Sequence, residues 1–325
     1  MHPIRIGVGI PRGIGDPRTF GPPNHREMLA YGKLAEDLGF DSVWVSDHYY
    51  FERPIGTLTP YPEVWTLMSA LAATTERVAI GSMVLSATFR HPALMAKMAS
   101  ALHELSNGRL ILGIGAGNQA HEHNAFGLPF DRRVGRFEEY LEIMTGLLKG
   151  ESVTKDGKFY KLHDATLRIP TTPSPVPLLI AGRGERMLGL AAKYGDSWNG
   201  GGAIQADGQP FVSTLASLHN AARSQGRNPD DIEITYVATT FVVPDSASVP
   251  GAIDTLCAVN GISPEQARGQ FIVGTPDEVV ARFKQAIGWG ATHFIVGLGA
   301  QPTTLWSRDM LDLFTREVLP RLRTL

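Results

Sequence analysis

Residues 77–118 contain the segment that decides the fold, RVAIGSMVLSATFRHPALMAKMASALHELSNGRLILGIGAGN. Its first part, Val78–Leu85, is rich in β-branched and aliphatic residues, which is typical of a buried strand. Pro92 then begins a stretch with apolar residues at helical spacing, and Ser106–Gly108 ends it. A second apolar run, Arg109–Gly117, follows directly. The segment therefore predicts a strand, a helix and another strand.

The same alternation continues along the chain in both directions. Short β-rich runs are followed by longer runs with apolar residues at helical spacing. The eight predicted strands are Ile4–Ile10, Asp41–Ser46, Val78–Leu85, Arg109–Gly117, Pro177–Gly182, Asp196–Asn199, Ile232–Val243 and His293–Leu298. Eight strand–helix units predict an α/β fold of the (β/α)8 type, a TIM barrel, over an open doubly wound sheet.

The chain is longer than a minimal barrel. Such a barrel typically takes about 250 residues, and this chain has 325. The surplus predicts insertions at the C-terminal face of the strands, at residues 118–130, 150–176, 200–209 and 244–270. Within 150–176, a DG pair between two β-like runs predicts a hairpin. Because we find no linker and no low-complexity tract, residues 1–325 are predicted to form one barrel domain.

Composition excludes several classes of function. Hydrophobic residues make up 43% of the chain, and the net charge is −2, so no basic excess is present to neutralise nucleic-acid phosphates. The single cysteine, Cys257, excludes an internal disulfide and indicates a reducing compartment. The N-terminus lacks the pattern of a signal peptide, and no apolar run approaches the roughly 18 residues of a membrane span. We expect a cytoplasmic protein that acts on a small molecule, without a nucleic-acid or membrane partner.

One strand ends on an acid and an imidazole. Residues 39–48, GFDSVWVSDH, begin as a strand and finish at Asp47 and His48. In a (β/α)8 barrel the active site lies at the C-terminal ends of the strands, and an imidazole with a neighbouring carboxylate can move a proton near neutral pH. The alternative is a rim histidine satisfied by the backbone, and the pair alone leaves both interpretations open.

Two glycine-rich turns precede helices at neighbouring strand ends. They are GIGAGN at 113–118 and IAGRGE at 180–185. Glycine lets backbone amides approach a phosphate, and a helix N-terminus favours an anion. Either turn alone is equally consistent with a tight connection, but the pair favours a cofactor phosphate site.

Other polar and aromatic clusters give weaker signals. His121, Glu122 and His123 lack the helical spacing of a zinc-binding HExxH motif, so they predict a solvated loop rather than a metal site. No serine lies in a GxSxG turn, which gives no support for an esterase. The aromatic run of residues 49–51 suggests either a substrate-facing wall or ordinary packing.

Taken together, four segments resemble the bacterial luciferase-like monooxygenase family, and within it the oxidoreductases that depend on the deazaflavin coenzyme F420. These segments are GFDSVWVSDH, the run 77–118, RRVGRFEEYLEIM at 132–144 and PLLIAGRGERMLGLAAKYGDSWN at 177–199. The resemblance covers nearly the whole chain. It implies a (β/α)8 barrel, a homodimer, and a flavin or deazaflavin in the mouth of the barrel.

The resemblance also implies roles for single residues. His48 would be the proton-transfer group, and Asp47 would lie beside it near the cofactor ring. A non-prolyl cis peptide between Met83 and Val84 would back the ring. The remaining cofactor-binding residues would be Ala116, Gly117 and Asn118 beside the cofactor chain, and Ala181, Gly182, Arg183 and Gly184 around its phosphate.

Three departures from the family pattern bear on the chemistry. The F420-dependent sugar-phosphate dehydrogenases have a glutamate where Asn118 stands, so a sugar-6-phosphate substrate is not expected here. Met83 replaces a smaller residue, which leaves the cis peptide open. The segment GAGNQAHE lacks the arginine that often meets the phosphate in the flavin mononucleotide (FMN) branch, which favours F420, although Arg183 would also suit an FMN phosphate.

The resulting prediction is an oxidoreductase that moves a hydride between F420 and a small alcohol, carbonyl or activated alkene, with His48 as proton donor or acceptor. The alternative is an FMN-dependent monooxygenase that uses reduced flavin and oxygen. A third hypothesis is a non-catalytic flavin-binding protein on the same barrel. No metal is predicted.

Overall fold

In a computed structural model of the chain, residues 2–11, 24–52, 58–167, 174–200, 208–299 and 307–325 are described. Eight parallel strands form a closed barrel. They are β1 (Arg5–Gly9), β2 (Ser42–Val45), β3 (Ala79–Ser82), β4 (Leu110–Gly115), β5 (Leu178–Ala181), β6 (Ser197–Asn199), β7 (Glu233–Val242) and β8 (His293–Leu298). Each strand pairs with the next, and β8 pairs with β1, so no edge remains open. The predicted (β/α)8 barrel is confirmed.

Helices surround the barrel and connect its strands. They are α1 (His25–Asp37), α2 (Val64–Thr74), α3 (Pro92–Leu105), α4 (Ala120–Ala125), α5 (Arg133–Leu148), α6 (Glu185–Tyr194), α7 (Gln209–Ser224), α8 (Val249–Asn260), α9 (Pro264–Gln270), α10 (Pro276–Gly288), α11 (Arg308–Leu313) and α12 (Leu319–Leu322). Helix α10 begins with a capping box of Thr275 and Glu278, a pattern that the local sequence TPDE carries. A single π-helical turn, Phe314–Val318, joins α11 to α12.

Two apolar layers hold the barrel together. Outward-facing strand residues such as Val8 and Ile80 pack against the helices in the larger core. A smaller cluster fills the lumen and consists of Trp44, Ile111, Leu179 and Ile295. Alternation of side chains along each strand produces these two layers.

Trp44 fits into the lumen because two strand positions carry no side chain. A Cβ at Gly81 would lie 2.3 Å from the indole, and one at Gly7 would lie 2.6 Å from its Nε1. Nε1 donates to Ser42 Oγ at 2.7 Å, and this hydroxyl also meets Nε2 of the buried His293 at 2.7 Å. The indole ring of Trp44 therefore has room in the lumen, and its Nε1 has a hydrogen-bond acceptor.

A polar network closes the N-terminal end of the barrel beneath Trp44. His293 Nδ1 lies 3.3 Å from Glu233 Oε2, and Arg5 forms an ion pair with the same carboxylate. Burial alone would raise the pKa of Glu233, but its hydrogen bonds with His293 and Arg5 hold that pKa at about 2. This end of the barrel is packed rather than open.

The predicted insertions have several forms. Strands Val153–Asp156 and Lys161–Ala165 form the hairpin expected around the DG turn. Residues 118–130 contain α4, and 244–270 contain α8 and α9, after which strand Ile272–Gly274 pairs with β7. Most of 200–209 lies outside the described residues. Among those described, no helix has the length and apolarity needed to cross a bilayer.

One predicted strand is interrupted. Val78–Leu85 was expected to be continuous, but β3 ends at Ser82 and a separate short strand, Leu85–Ser86, pairs with β4. The peptide bond between Met83 and Val84 at this interruption is cis. At this interruption the chain leaves β3. The apolar pattern of the sequence therefore continues although the strand has ended.

Candidate active site

A cavity of about 530 Å³ lies at the C-terminal ends of the barrel strands. This is where active sites of (β/α)8 barrels are found, and the volume is in the range of small-molecule sites. Ten of the eleven residues predicted for the site line it, and Arg183 does not. The ten are Asp47, His48, Met83, Val84, Ala116, Gly117, Asn118, Ala181, Gly182 and Gly184.

His48 is held from one side by a buried carboxylate. Its Nδ1 lies 2.9 Å from Glu122 Oε2, and the Glu122 side chain is only 1% exposed. The other carboxylate oxygen accepts hydrogen bonds from the backbone N–H groups of Tyr49 at 2.7 Å and Tyr50 at 3.3 Å. A carboxylate only accepts, so neutral His48 carries its proton on Nδ1 and keeps Nε2 basic.

The HEH segment was interpreted wrongly from sequence. Residues 121–123 were expected in a solvated loop, but they lie in α4, and both Glu122 and His123 are 1% exposed. The helix has only six residues, too few to show helical periodicity. Its acid is buried because a histidine and two backbone amides from another part of the chain surround it. In the described part of the chain, no group of three or more metal-binding side chains could hold an ion.

The carboxylate of Asp47 forms an ion pair with an arginine. Arg90 Nη1 lies 2.7 Å from Asp47 Oδ2, which also accepts from the backbone N–H of Ser86 at 3.0 Å, and Arg90 Nη2 contacts Glu63 at 2.6 Å. Burial raises the pKa of the Asp47 carboxyl, and the hydrogen bond from Arg90 opposes that rise. Asp47 and His48 both follow the end of β2. Successive side chains within a strand face opposite sides, but this alternation does not apply beyond the strand end.

The glycine turns form another part of the cavity wall. Gly117 has φ 84°, and a Cβ there would lie 2.9 Å from Ser86 Oγ. Gly182 has φ 152°, and a Cβ there would lie 2.8 Å from Met187 Cβ. Gly184 precedes α6 and supplies no side-chain cap to it. The first N–H groups of this helix therefore have no capping side chain among the described residues, and the helix begins next to cavity-lining Gly184.

Arg183 does not line the cavity. Its Nε donates to the carbonyl of Gly200. Arg133 at the first position of α5 lines the cavity instead. Sequence reasoning missed Arg133, and a role for Arg183 at the phosphate stays a prediction.

Aromatic rings stand beside His48. Tyr49 stacks on Phe126 with ring centroids 3.9 Å apart and contacts Phe89 at 4.8 Å, and Phe89 also lines the cavity. His48 itself meets the Tyr61 ring edge-on at 5.5 Å. The Tyr49 ring thus belongs to an aromatic cluster, whereas the side chain of residue 51 lies outside the described residues.

Residues 4–250 match the sequence model of the luciferase-like monooxygenase family. The chain belongs to this family. Among curated members, an F420-dependent glucose-6-phosphate dehydrogenase of Beutenbergia cavernae is 32% identical, over 92% of this chain and 94% of that protein. The resemblance inferred from sequence is therefore confirmed.

Several solved structures superpose on the chain over almost its full length. The structure of an F420-dependent secondary alcohol dehydrogenase with an F420–acetone adduct has a TM-score of 0.79 at 22% identity, covering 99% of both chains. The monooxygenase RslO1 of Streptomyces bottropensis has a TM-score of 0.78 at 26% identity, covering 98% of this chain and 99% of that one. The first similarity supports the barrel fold, and the second also agrees with the family.

Proposed function

We propose that this luciferase-like protein is an oxidoreductase that moves a hydride between coenzyme F420 and a small alcohol, carbonyl or activated alkene, with His48 moving the accompanying proton. The F420-dependent relative that is 32% identical over nearly the whole chain supports the cofactor and the reaction class. The observation that carries the role of His48 is its contact with buried Glu122 at the wall of the cavity.

The residues present fit a phosphate-bearing deazaflavin. Gly117 and Gly182 place backbone without a side chain at the cavity wall, both with positive φ, and no side chain caps α6 next to Gly184. Arg133 adds a positive charge at the cavity wall. Ala181, Gly182 and Gly184 would hold the phosphate, and Ala116, Gly117 and Asn118 the adjoining chain. Met83 and Val84 would lie behind the ring.

A bound deazaflavin supplies the hydride acceptor or donor. During oxidation of an alcohol, the hydroxyl proton passes to Nε2 of His48 while the hydride leaves the carbon, so one carbonyl forms and the charges balance. In the reverse direction, His48 returns the proton to the carbonyl oxygen. Glu122 stabilises the imidazolium that forms, as a buried carboxylate partner of a histidine does.

Asp47 has a different role in this proposal. Arg90 and the Ser86 amide already donate to its carboxylate. In this proposal Asp47 therefore holds the segment after β2 against the segment at the cis peptide, and it does not exchange a proton. Asn118 lines the cavity where sugar-phosphate dehydrogenases carry an acid, so we propose a substrate other than a sugar-6-phosphate. A homodimer and a cytoplasmic location remain predictions.

FMN-dependent oxygenation is the second candidate. It is favoured by the 26% identity with a monooxygenase over nearly the full length. The higher identity with the F420-dependent relative weighs against it. The two cofactors lead to different chemistry, so the cofactor test decides between the candidates.

The test begins with cofactor-free protein titrated with F420 and, separately, with FMN. Tryptophan fluorescence reports binding because Trp198 Nε1 donates to the carbonyl of Gly182 at 2.8 Å. We expect F420 to bind more tightly. Tighter binding of FMN, together with oxygen uptake by the reduced flavoprotein, would overturn the proposal.

The role of His48 is tested by turnover. A panel of secondary alcohols is screened with oxidised F420, and ketones and enones are screened with the reduced form. His48→Ala should lower kcat by roughly 10²–10⁴-fold and leave F420 affinity within a few-fold. His163→Ala, on the exposed hairpin strand Lys161–Ala165, is the control. Full turnover by His48→Ala would remove His48 from the mechanism.

A further inference from the structure

A chain of three side chains runs from the cavity wall into α4. Ser86 Oγ lies 2.8 Å from Thr88 Oγ1, and Thr88 Oγ1 lies 2.6 Å from Nε2 of His123. Nδ1 of His123 lies 2.7 Å from the backbone carbonyl oxygen of Gln119. Both Ser86 and His123 line the cavity, although His123 is only 1% exposed. We call this chain the hydroxyl relay.

The carbonyl at its inner end sets the direction of the relay. A carbonyl only accepts, so Nδ1 of His123 carries a proton, and in the neutral imidazole Nε2 must accept. Thr88 therefore donates to His123, and Ser86 donates to Thr88. With its one proton committed, Ser86 Oγ presents only lone pairs to the cavity.

Ser86 meets a ligand through this hydroxyl and not through its backbone. Its N–H donates to Asp47, and its carbonyl accepts from the N–H of Phe89 at 3.1 Å. The hydroxyl reaches the cavity because Gly117 has no Cβ, which would lie 2.9 Å from Ser86 Oγ. Ser86 also lies two residues beyond the cis peptide, and its N–H donor places it next to Asp47.

We propose that Ser86 Oγ accepts a hydrogen bond from the imide N–H of the cofactor ring, and that Thr88 and His123 are positioning residues that keep Ser86 an acceptor. This inference rests on the proposed function. The pyrimidine edge of a deazaflavin carries one N–H between two carbonyls, so a freely rotating hydroxyl could meet either kind of group. The relay removes that freedom and favours the N–H.

The test compares F420 with an F420 analogue methylated at the imide nitrogen. Dissociation constants are measured by fluorescence for wild type, Ser86→Ala, Thr88→Val and Thr88→Ser. Wild type should bind the methylated analogue about tenfold more weakly, as expected for one lost hydrogen bond whose acceptor stays unsatisfied. Ser86→Ala should bind both ligands with similar affinity.

Thr88→Val separates hydrogen bonding from steric fit. It preserves the shape of residue 88 and leaves Ser86 in place, so a purely steric penalty on the methyl group would persist. We expect F420 affinity to fall by about threefold to tenfold, the discrimination between ligands to shrink, and Thr88→Ser to restore both. Ser69→Ala, whose hydroxyl donates to the Trp65 carbonyl in α2, is the control.

The outcomes distinguish this inference from the proposed function. If wild type does not bind F420, the proposed function fails. If wild type binds F420 but Thr88→Val keeps the same affinity and the same discrimination, the relay does not position the ring and this inference is overturned. Tighter binding of the methylated analogue by wild type would show that Ser86 gains nothing from the imide N–H, which also overturns it.

Discussion

Replacing Glu122 by glutamine should reverse the tautomer of His48. The carboxylate accepts from His48 Nδ1 at 2.9 Å and from the Tyr49 and Tyr50 amides at 2.7 and 3.3 Å. Glutamine has only one acceptor oxygen. Because the two backbone amides are fixed donors, that oxygen must face them, and the NH₂ group must then face Nδ1. Nδ1 becomes an acceptor, and the proton of the neutral imidazole moves to Nε2.

The magnitude follows from the role of Nε2. A histidine that already carries a proton on Nε2 cannot accept one from an alcohol, so the whole contribution of the base is lost. General base catalysis is worth roughly 10²–10⁴-fold, and a wrong tautomer in a comparable carboxylate–histidine pair costs about 10⁴-fold. We therefore expect kcat for alcohol oxidation to fall by about 10²–10⁴-fold in Glu122→Gln, with F420 affinity nearly unchanged.

The tautomer can be read without a substrate. Nitrogen-15 NMR of histidine-labelled protein at pH 8 distinguishes a protonated Nδ1 from a protonated Nε2. Wild type should show Nδ1–H at His48, and Glu122→Gln should show Nε2–H. Glu142→Gln, on α5, is the matched control because its partner is the surface residue Lys155. An unchanged His48 spectrum in Glu122→Gln would refute the reasoning, whatever the rates.

Three further changes test the fold around the site. Gly81→Ala should destabilise the protein by about 1–3 kcal/mol or more in urea unfolding. The reason is that its Cβ would lie 2.3 Å from the Trp44 ring. Wild-type stability of this variant would contradict the reasoning. Arg90→Met should lower the free energy of unfolding by about 3–5 kcal/mol because it leaves the buried Asp47 carboxylate unpaired. The loss should be smaller in the double variant Arg90→Met, Asp47→Asn. Glu36 accepts hydrogen bonds from three successive amides, Glu76 to Val78, and although burial opposes it, these bonds lower its pKa to about 2. A carboxylate with a lowered folded-state pKa stabilises above its unfolded pKa of about 4.3 and loses that effect as pH falls towards 2. Glu36→Gln should therefore lower the free energy of unfolding by about 3 kcal/mol at pH 7 and by about half as much at pH 3. A pH-independent cost would disprove the charge effect.

Much of the barrel could be predicted from local sequence because each strand–helix unit carries its own periodicity. The bounds of α6 and the capping box at Thr275 are set by neighbouring residues, so a local pattern is sufficient. The end of the predicted strand at Val78–Leu85 was misjudged because the apolar pattern is the same on both sides of the cis peptide. Leu85 is buried and Met83 and Val84 line the cavity, so these residues are apolar without pairing in one continuous strand.

The strand ends of the site could also be predicted, but their partners could not. His48 and Glu122 are 74 positions apart, and Asp47 and Arg90 are 43 apart. No spacing rule links such residues, since only the closure of the barrel brings them together. The direction of the hydroxyl relay depends on a backbone carbonyl, which has no signature in the sequence.

The packing around Trp44 has a consequence for the order of kinetic events. Ile111, Leu179 and Ile295 close the lumen around the indole, and His293 and Glu233 close it below. Within the described residues, the lumen below the cavity is therefore closed, and access is from the C-terminal face of the strands. Under the proposed function, a ring seated against Met83 and Val84 would have to arrive before a substrate that covers it, and the product would have to depart before the ring exchanges. We therefore expect ordered steady-state turnover, with coenzyme first on and last off.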